Sequence, residues 1–241
     1  MKPTKSTASF SWLSKGAAVP AVPKQVVGRS LLLPSRSAGR LRRDLLLKSS
    51  FDRCLSLLLL FLTLPIIVLS MVLVKLTSRG PALYSQKRVG QFGQVFIIWK
   101  IRTMYHECEK LTGPRWSTPG DPRVTLIGRV LRSLHIDELP QLMNVLRGQM
   151  SLIGPRPERP EIAGKLKKVL EGYDERLLVL PGISGNAQLH LPPDTMISDV
   201  RDKLVLDRDY IRRLSILIDL KMLFLTALKS LKIYSCYVKK E

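Results

Sequence analysis

Between Cys54 and Val74 the chain reads CLSLLLLFLTLPIIVLSMVLV, without a single charged residue. At ~1.5 Å per residue such a helix is roughly 30 Å long, close to the hydrocarbon thickness of a bilayer. It reads as a membrane segment. Pro65 lies in its middle, where a proline removes one helix hydrogen bond and crowds the preceding turn. Both flanks are basic: Arg40, Arg42, Arg43, Lys48 and Arg53 precede it, and Lys75, Arg79, Lys87 and Arg88 follow. Equal flanks leave the positive-inside rule without a preferred orientation. Two paths stay open on the residues alone, a kinked span and a re-entrant hairpin that bends at Pro65 and leaves by the face it entered.

Working outward, three segments are expected. Residues 1–47 form a basic tail, rich in Ser, Lys, Arg and Pro, in which Asp44 is the only acid. Such a composition buries too little apolar surface to fold alone; a transit peptide would share it. Its cations would be drawn to anionic phospholipid, at about 1 kcal/mol for each Lys or Arg near the surface. Residues 48–80 carry the membrane helix, and residues 81–241 form a catalytic-sized domain. The whole chain has 39 Lys+Arg against 19 Asp+Glu, a net charge of +20. That excess calls for a polyanionic partner. Aromatic residues are only 6%, thin for stacking on single-stranded nucleic acid, and no DNA- or RNA-binding motif is present. The charge is therefore assigned to phosphate and phospholipid, with no nucleic-acid partner. Cys54, Cys108 and Cys236 are far apart and form no CxxC pair, which supports neither a disulfide framework nor a zinc site.

The pattern beyond residue 80 is α/β, mostly helical with one short β-hairpin. Val95, Ile97 and Trp99 alternate after the Gly-bounded GQFGQV turn, predicting a hairpin within residues 81–104. Residues 105–123 read as loop. Helical spacing returns at Val124–Leu134, and a second helix is expected from Glu138 to Arg147, stopped by Gly148. The prolines of SLIGPRPERPE forbid helix. Further helices are expected near 162–170 and 200–213, separated by LVLPGISGNAQL as a Gly-rich loop. Ser215 could cap a last helix, either a core helix or one lying in the membrane interface.

Asp137 and Glu138 stand together in RSLHIDELPQL. Asp is a favoured helix N-cap, so capping alone would account for Asp137. It leaves Glu138 unexplained, along with the cations that neighbouring loops could bring near: Lys100, Arg102, Arg132, Arg156 and Arg159. A carboxylate among cations can attack phosphorus. Its neighbour suits Mg²⁺, which takes one or two carboxylates plus substrate phosphates. An arginine in a proline-stiffened loop such as GPRPE can grip phosphate in a fixed fork.

Taken together, QKRVGQFGQVFIIWKIRTM, RSLHIDELPQLMNVLRGQMSLIGPRPERPE and PGISGNAQL resemble the bacterial sugar transferase family, over roughly residues 48–232. These are monotopic polyprenyl-phosphate phosphoglycosyl transferases. The resemblance implies a re-entrant membrane helix with its break at Pro65, interfacial amphipathic helices, and a catalytic domain on the cytoplasmic face of the bacterial inner membrane. It implies that Asp137 attacks the β-phosphorus of a UDP-sugar, releasing UMP, and that polyprenyl (undecaprenyl) phosphate takes up the sugar phosphate. Glu138 would bind the Mg²⁺ cofactor. Arg156, in a loop shaped by Pro155 and Pro157, would contact phosphate, as would Lys100 and Arg132. Asn186 replaces the Trp common in PGITGWAQ, and HLPPDT departs from the usual continuation, so the sugar stays open. A homo-oligomer is compatible with the resemblance. The competing reading is a noncatalytic membrane-anchored scaffold binding anionic lipid; the retained acidic pair favours the enzyme.

Overall fold

The computed structural model describes residues 38–230 except 110–116, 119 and 193–195. Most of the expected tail, part of the 105–123 loop and the second half of HLPPDT lie outside the described residues.

Helix α1, Ala38–Thr77, runs for 40 residues with Pro65 inside it. Within it, Leu45–Thr77 is long and apolar enough to cross a membrane. Pro65 supplies no N–H, and two residues earlier Thr63 Oγ1 donates to the Leu59 carbonyl at 2.7 Å, a back-bond that tends to bend helices. One stripe of α1 faces the rest of the protein: Lys48, Asp52 and Ser56 are buried, as are Ile67, Ser70 and Val74. Leu55, Leu59 and Leu60 pack on Phe96, Ile98, Leu142 and Val145. Further along, Ile67, Met71 and Val74 pack with Ile101, Leu131, Ile136 and Leu139. The helix is thus held against one domain near both ends. Its other faces expose Leu58, Phe61, Leu62, Leu69, Val72 and Leu76, far more apolar surface than a water-facing helix carries.

Strands β1 (Leu83–Val89) and β2 (Val95–Ile101) form the expected antiparallel hairpin, with Tyr84 opposite Lys100. Its turn is closed by Phe92 and Gly93, both at positive φ. Helix α2 (Leu126–Ser133) is capped by Thr125, whose hydroxyl accepts from the Gly128 amide. A Cβ at Gly128 would run into the Thr103 carbonyl, so glycine lets α2 lie directly on the chain leaving β2.

The expected helix from Glu138 is replaced by a 3-10 turn, Ile136–Gln141, followed by the short α3, Leu142–Leu146. His135, at φ 57, occupies the N-cap position and makes no side-chain cap bond. Asp137 is inside the turn, which corrects its reading as an N-cap. Gly148 ends the unit at φ 72 as expected. A second correction concerns PGISG: Gly182–Ser184 is strand β4, parallel to β3 (Ser151–Ile153), with Ser151 opposite Gly182. Three-residue strands paired across the chain leave no local periodicity to read. Helices α4 (Pro160–Val169), α5 (Asn186–His190), α6 (Ile197–Arg213) and α7 (Ile216–Ser230) complete the domain. One core joins Ile153, Val179, Leu189, Tyr210, Ile211 and Met222. On α7, Asp219 and Met222 are buried while Leu217, Leu220 and Phe224 are exposed, so the helix is both a core element and an apolar surface.

Candidate active site

The 3-10 turn wedges between β2, α1 and α2 because Ile136 and Leu139 point into the apolar cluster with α1. Glu138 reaches Lys100 on β2 and Arg156 of the GPRPE loop, and both it and Asp137 remain buried, at 9% and 7% exposure. Charges are costly at such depth unless paired.

Glu138 is paired twice. Lys100 Nζ on β2 lies 2.6 Å from its Oε1, and Arg156 Nη2 donates to the same oxygen at 2.6 Å. Arg156 Nη1 reaches Oε2 at 3.4 Å. Burial alone would raise the pKa of Glu138, but the Arg156 and Lys100 cations outweigh it and hold the carboxyl well below its usual range. Lys100 is itself lowered by burial, against the pull of Glu138.

Asp137 has no hydrogen bond to any described residue. Burial, and then repulsion from Glu138, push its pKa up to about 6, with Lys100, Arg132 and Arg156 pulling back. The pair is thus split: one carboxylate is locked as an anion by two cations, and the other is poised between protonated and free. Environments that separate two carboxyls in this way are how one site assigns them different roles.

The other cations expected near the pair divide. Arg132 acts on Asp137 only through its field; its own hydrogen bonds go to Thr103 Oγ1 at 2.7 Å and Ser117 Oγ at 2.9 Å. Arg102 closes the end of α1 by donating to the Ser78 and Arg79 carbonyls, and Arg159 pairs with Glu109 at 3.0 Å.

The loop carrying Arg156 is fixed carbonyl by carbonyl. Pro155 O accepts from the Gly182 amide at 2.9 Å, and Glu158 O from the Val89 amide at 2.8 Å. Arg156 O accepts from Arg176 at 3.0 Å, and Pro157 O from Arg88 at 2.9 Å. Arg176 is held in turn by Asp207 at 2.9 Å. Sequence reasoning missed Arg176 and Asp207 and saw Arg88 only as a flanking charge. In a chain with 39 basic residues, nothing local distinguishes these two arginines from solvated ones.

Among the described residues no group of three or more His, Cys, Asp or Glu side chains converges. Of the acids at this site, the adjacent Asp137 and Glu138 are the ones that could hold a metal ion. Asp137 and Glu138 Oε2 are the oxygens not already taken by the strong contacts to Lys100 and Arg156. Two hard carboxylate donors, completed by water and substrate phosphate, suit Mg²⁺, so the residues fit it.

Residues 43–233 match the family model described as Bacterial sugar transferase. Over 188 residues the chain is 45% identical to an undecaprenyl-phosphate glucose phosphotransferase of Komagataeibacter xylinus; the match covers 76% of this chain and 35% of that protein. A UDP-N-acetylgalactosamine-undecaprenyl-phosphate N-acetylgalactosaminephosphotransferase of Aeromonas hydrophila is 39% identical over 75% of this chain and 42% of its own length. A UDP-glucose:undecaprenyl-phosphate glucose-1-phosphate transferase of Caulobacter vibrioides is 40% identical over 81% of this chain and 74% of its own length. The chain thus spans about a third of the first of these relatives, under half of the second and about three quarters of the third.

Proposed function

The chain belongs to the bacterial sugar transferase family, and on that footing we propose that it moves a sugar 1-phosphate from a UDP-sugar to polyprenyl phosphate at a membrane surface. The observation that carries this reading is the split acidic pair, with Asp137 unpaired beside a Glu138 clamped by Lys100 and Arg156. The relatives' names support the substrate classes: undecaprenyl phosphate in all three, and either glucose or N-acetylgalactosamine as the sugar.

In this mechanism an Asp137 carboxylate oxygen attacks the β-phosphorus of the donor. The bond from that phosphorus to the bridging oxygen breaks, and UMP leaves with the electron pair. The sugar phosphate is then held on Asp137 as an acyl phosphate. A phosphate oxygen of the polyprenyl acceptor attacks the same phosphorus, the bond to Asp137 breaks, and the carboxylate is regenerated. Arg156 supplies a planar, permanently charged fork for the diphosphate. Lys100 adds a second positive charge where negative charge accumulates. Mg²⁺ held by Glu138 and Asp137 would neutralise phosphate charge.

The seating of α1 supports a re-entrant path. Lys48 and Val74 both lie buried against the same domain, which supports placing both ends of this stretch on one side of the membrane, with the exposed apolar faces entering it. Pro65 would mark the bend, and the catalytic domain would face the cytoplasm, where UDP-sugars are made.

Purified protein with Mg²⁺ and polyprenyl phosphate should release UMP from at least one of a panel of UDP-sugars, and Asp137→Asn should not. Absence of UMP with every sugar would contradict the reading and favour a scaffold. Tags at residue 45 and at the C-terminus should both be protected from external labelling in intact cells; labelling of only one would rule out the re-entrant path.

A further inference from the structure

Away from the acidic pair, α1, β3, α6 and α7 meet in a second cluster of buried polar groups. Lys48, Asp52 and Asp219 are 7%, 3% and 1% exposed. Lys48 Nζ lies 2.5 Å from Asp219 Oδ2 and 3.4 Å from Asp52 Oδ2. Tyr210 donates its hydroxyl to Asp219 Oδ1 at 2.8 Å, and Ser151 Oγ donates to Asp52 at 2.6 Å. The mechanism above uses none of these groups.

Packing alone does not account for them. A buried ion pair is often no more stabilising than apolar residues of equal volume, and its neighbours here are apolar core. What the charges add is direction. Lys48 Nζ at 3.3 Å, Tyr210 OH at 3.0 Å and Ser151 Oγ at 2.8 Å all converge on one backbone atom, the carbonyl of Ile153, each hydroxyl sharing its single proton between that carbonyl and an aspartate. Ile153 is fully buried and ends β3. The next residues are Gly154, Pro155 and Arg156. From Ile153 onward the chain is fixed at each step: Gly154 N to Ser184 O, Pro155 O to Gly182 N, then Arg156 O to Arg176. An error at Ile153 therefore has little slack to absorb it before it reaches the guanidinium on Glu138.

We propose that Lys48, Asp219 and Tyr210 are positioning residues for Arg156, so that the seating of α1 on the domain sets the grip on the donor diphosphate. The proposal rests on the reading above that Arg156 contacts phosphate. Its structural half, that the cluster holds the 153–156 segment, is measurable without turnover.

The test uses full-length protein in lipid nanodiscs, comparing Tyr210→Phe, Lys48→Met and Lys48→Arg with the parent. Tyr210→Phe removes only a hydroxyl, so it decides the matter alone if Lys48→Met does not insert and fold. Amide hydrogen exchange over residues 150–159 should quicken about tenfold in Tyr210→Phe, the effect expected of losing one buried hydrogen bond. Exchange over β2 should stay unchanged. The KM for the UDP-sugar should rise about tenfold with kcat within about twofold, and Lys48→Arg should lie nearer the parent than Lys48→Met. A lower melting temperature with unchanged exchange over 150–159 and unchanged KM would overturn the proposal, leaving a merely structural cluster. If the parent releases no UMP at all, the proposed function fails instead. The exchange measurement then still supports the positioning role if loosening is confined to 150–159, and overturns it if loosening is uniform or absent.

Discussion

Replacing Asp137 by Asn should abolish turnover while making the protein more stable at neutral pH. Folding raises the Asp137 carboxyl from 3.8 to about 6, through burial and then the adjacent Glu138, net of the opposing cations. A carboxyl raised in this way binds its proton more tightly in the fold. Its favourable contribution is therefore complete below about pH 4 and is lost as pH rises through about 6. At about 1.4 kcal/mol per unit, holding Asp137 ionised at pH 7.5 costs about 3 kcal/mol. Asn is neutral and nearly isosteric, so it removes that cost. For a chain of this size the gain corresponds to roughly 6–12 °C in melting temperature. The assay is thermal unfolding in detergent with EDTA, comparing the parent and Asp137→Asn at pH 7.5 and pH 4.5. The variant should melt higher at pH 7.5, and most of the difference should vanish at pH 4.5, where the parent's Asp137 is protonated. A variant that melts at or below the parent at both values would refute the claim that the fold strains this carboxylate.

Three other outcomes follow from the same geometry. The parent's kcat/KM should fall about tenfold per pH unit below about 6, because attack needs the ionised Asp137; a flat profile from pH 5 to 7.5 would exclude that group as the one titrating. Arg156→Lys keeps the charge but loses the fork to Glu138, and should raise the donor KM by about 10- to 100-fold, measured by UMP release. Gly128→Ala should lower the yield of folded protein or cost about 1–3 kcal/mol, read by thermal unfolding, because its methyl group would collide with the Thr103 carbonyl.

The apolar run, the β-hairpin and the acidic pair were legible because each rests on residues close in sequence. An uncharged stretch announces a membrane segment, and alternation about GQFGQV announces a hairpin. Asp137 and Glu138 stand out as neighbouring acids in a basic chain. The misreadings have long-range causes. Local preference alone makes Asp137 an N-cap, whereas packing of Ile136 and Leu139 against α1 winds this stretch as a 3-10 turn with Pro140 inside. Strand β4 was hidden because its partner β3 lies about thirty residues earlier and each strand has three residues. The supports of the site were invisible for the same reason. Lys48 meets Asp219 across 171 positions, and Arg88 meets the Pro157 carbonyl across 69. No window on the chain contains both partners.

In the proposed reaction Asp137 becomes covalently bonded to phosphorus. Intact-protein mass spectrometry, after incubation with Mg²⁺ and a reactive UDP-sugar but no polyprenyl acceptor, tests it most directly. A mass increase equal to one sugar phosphate is expected, mapped to the peptide containing Asp137, absent in Asp137→Asn and discharged when polyprenyl phosphate is added. UMP release that requires the acceptor, with no adduct on the parent protein, would contradict it and point to direct transfer between the two substrates.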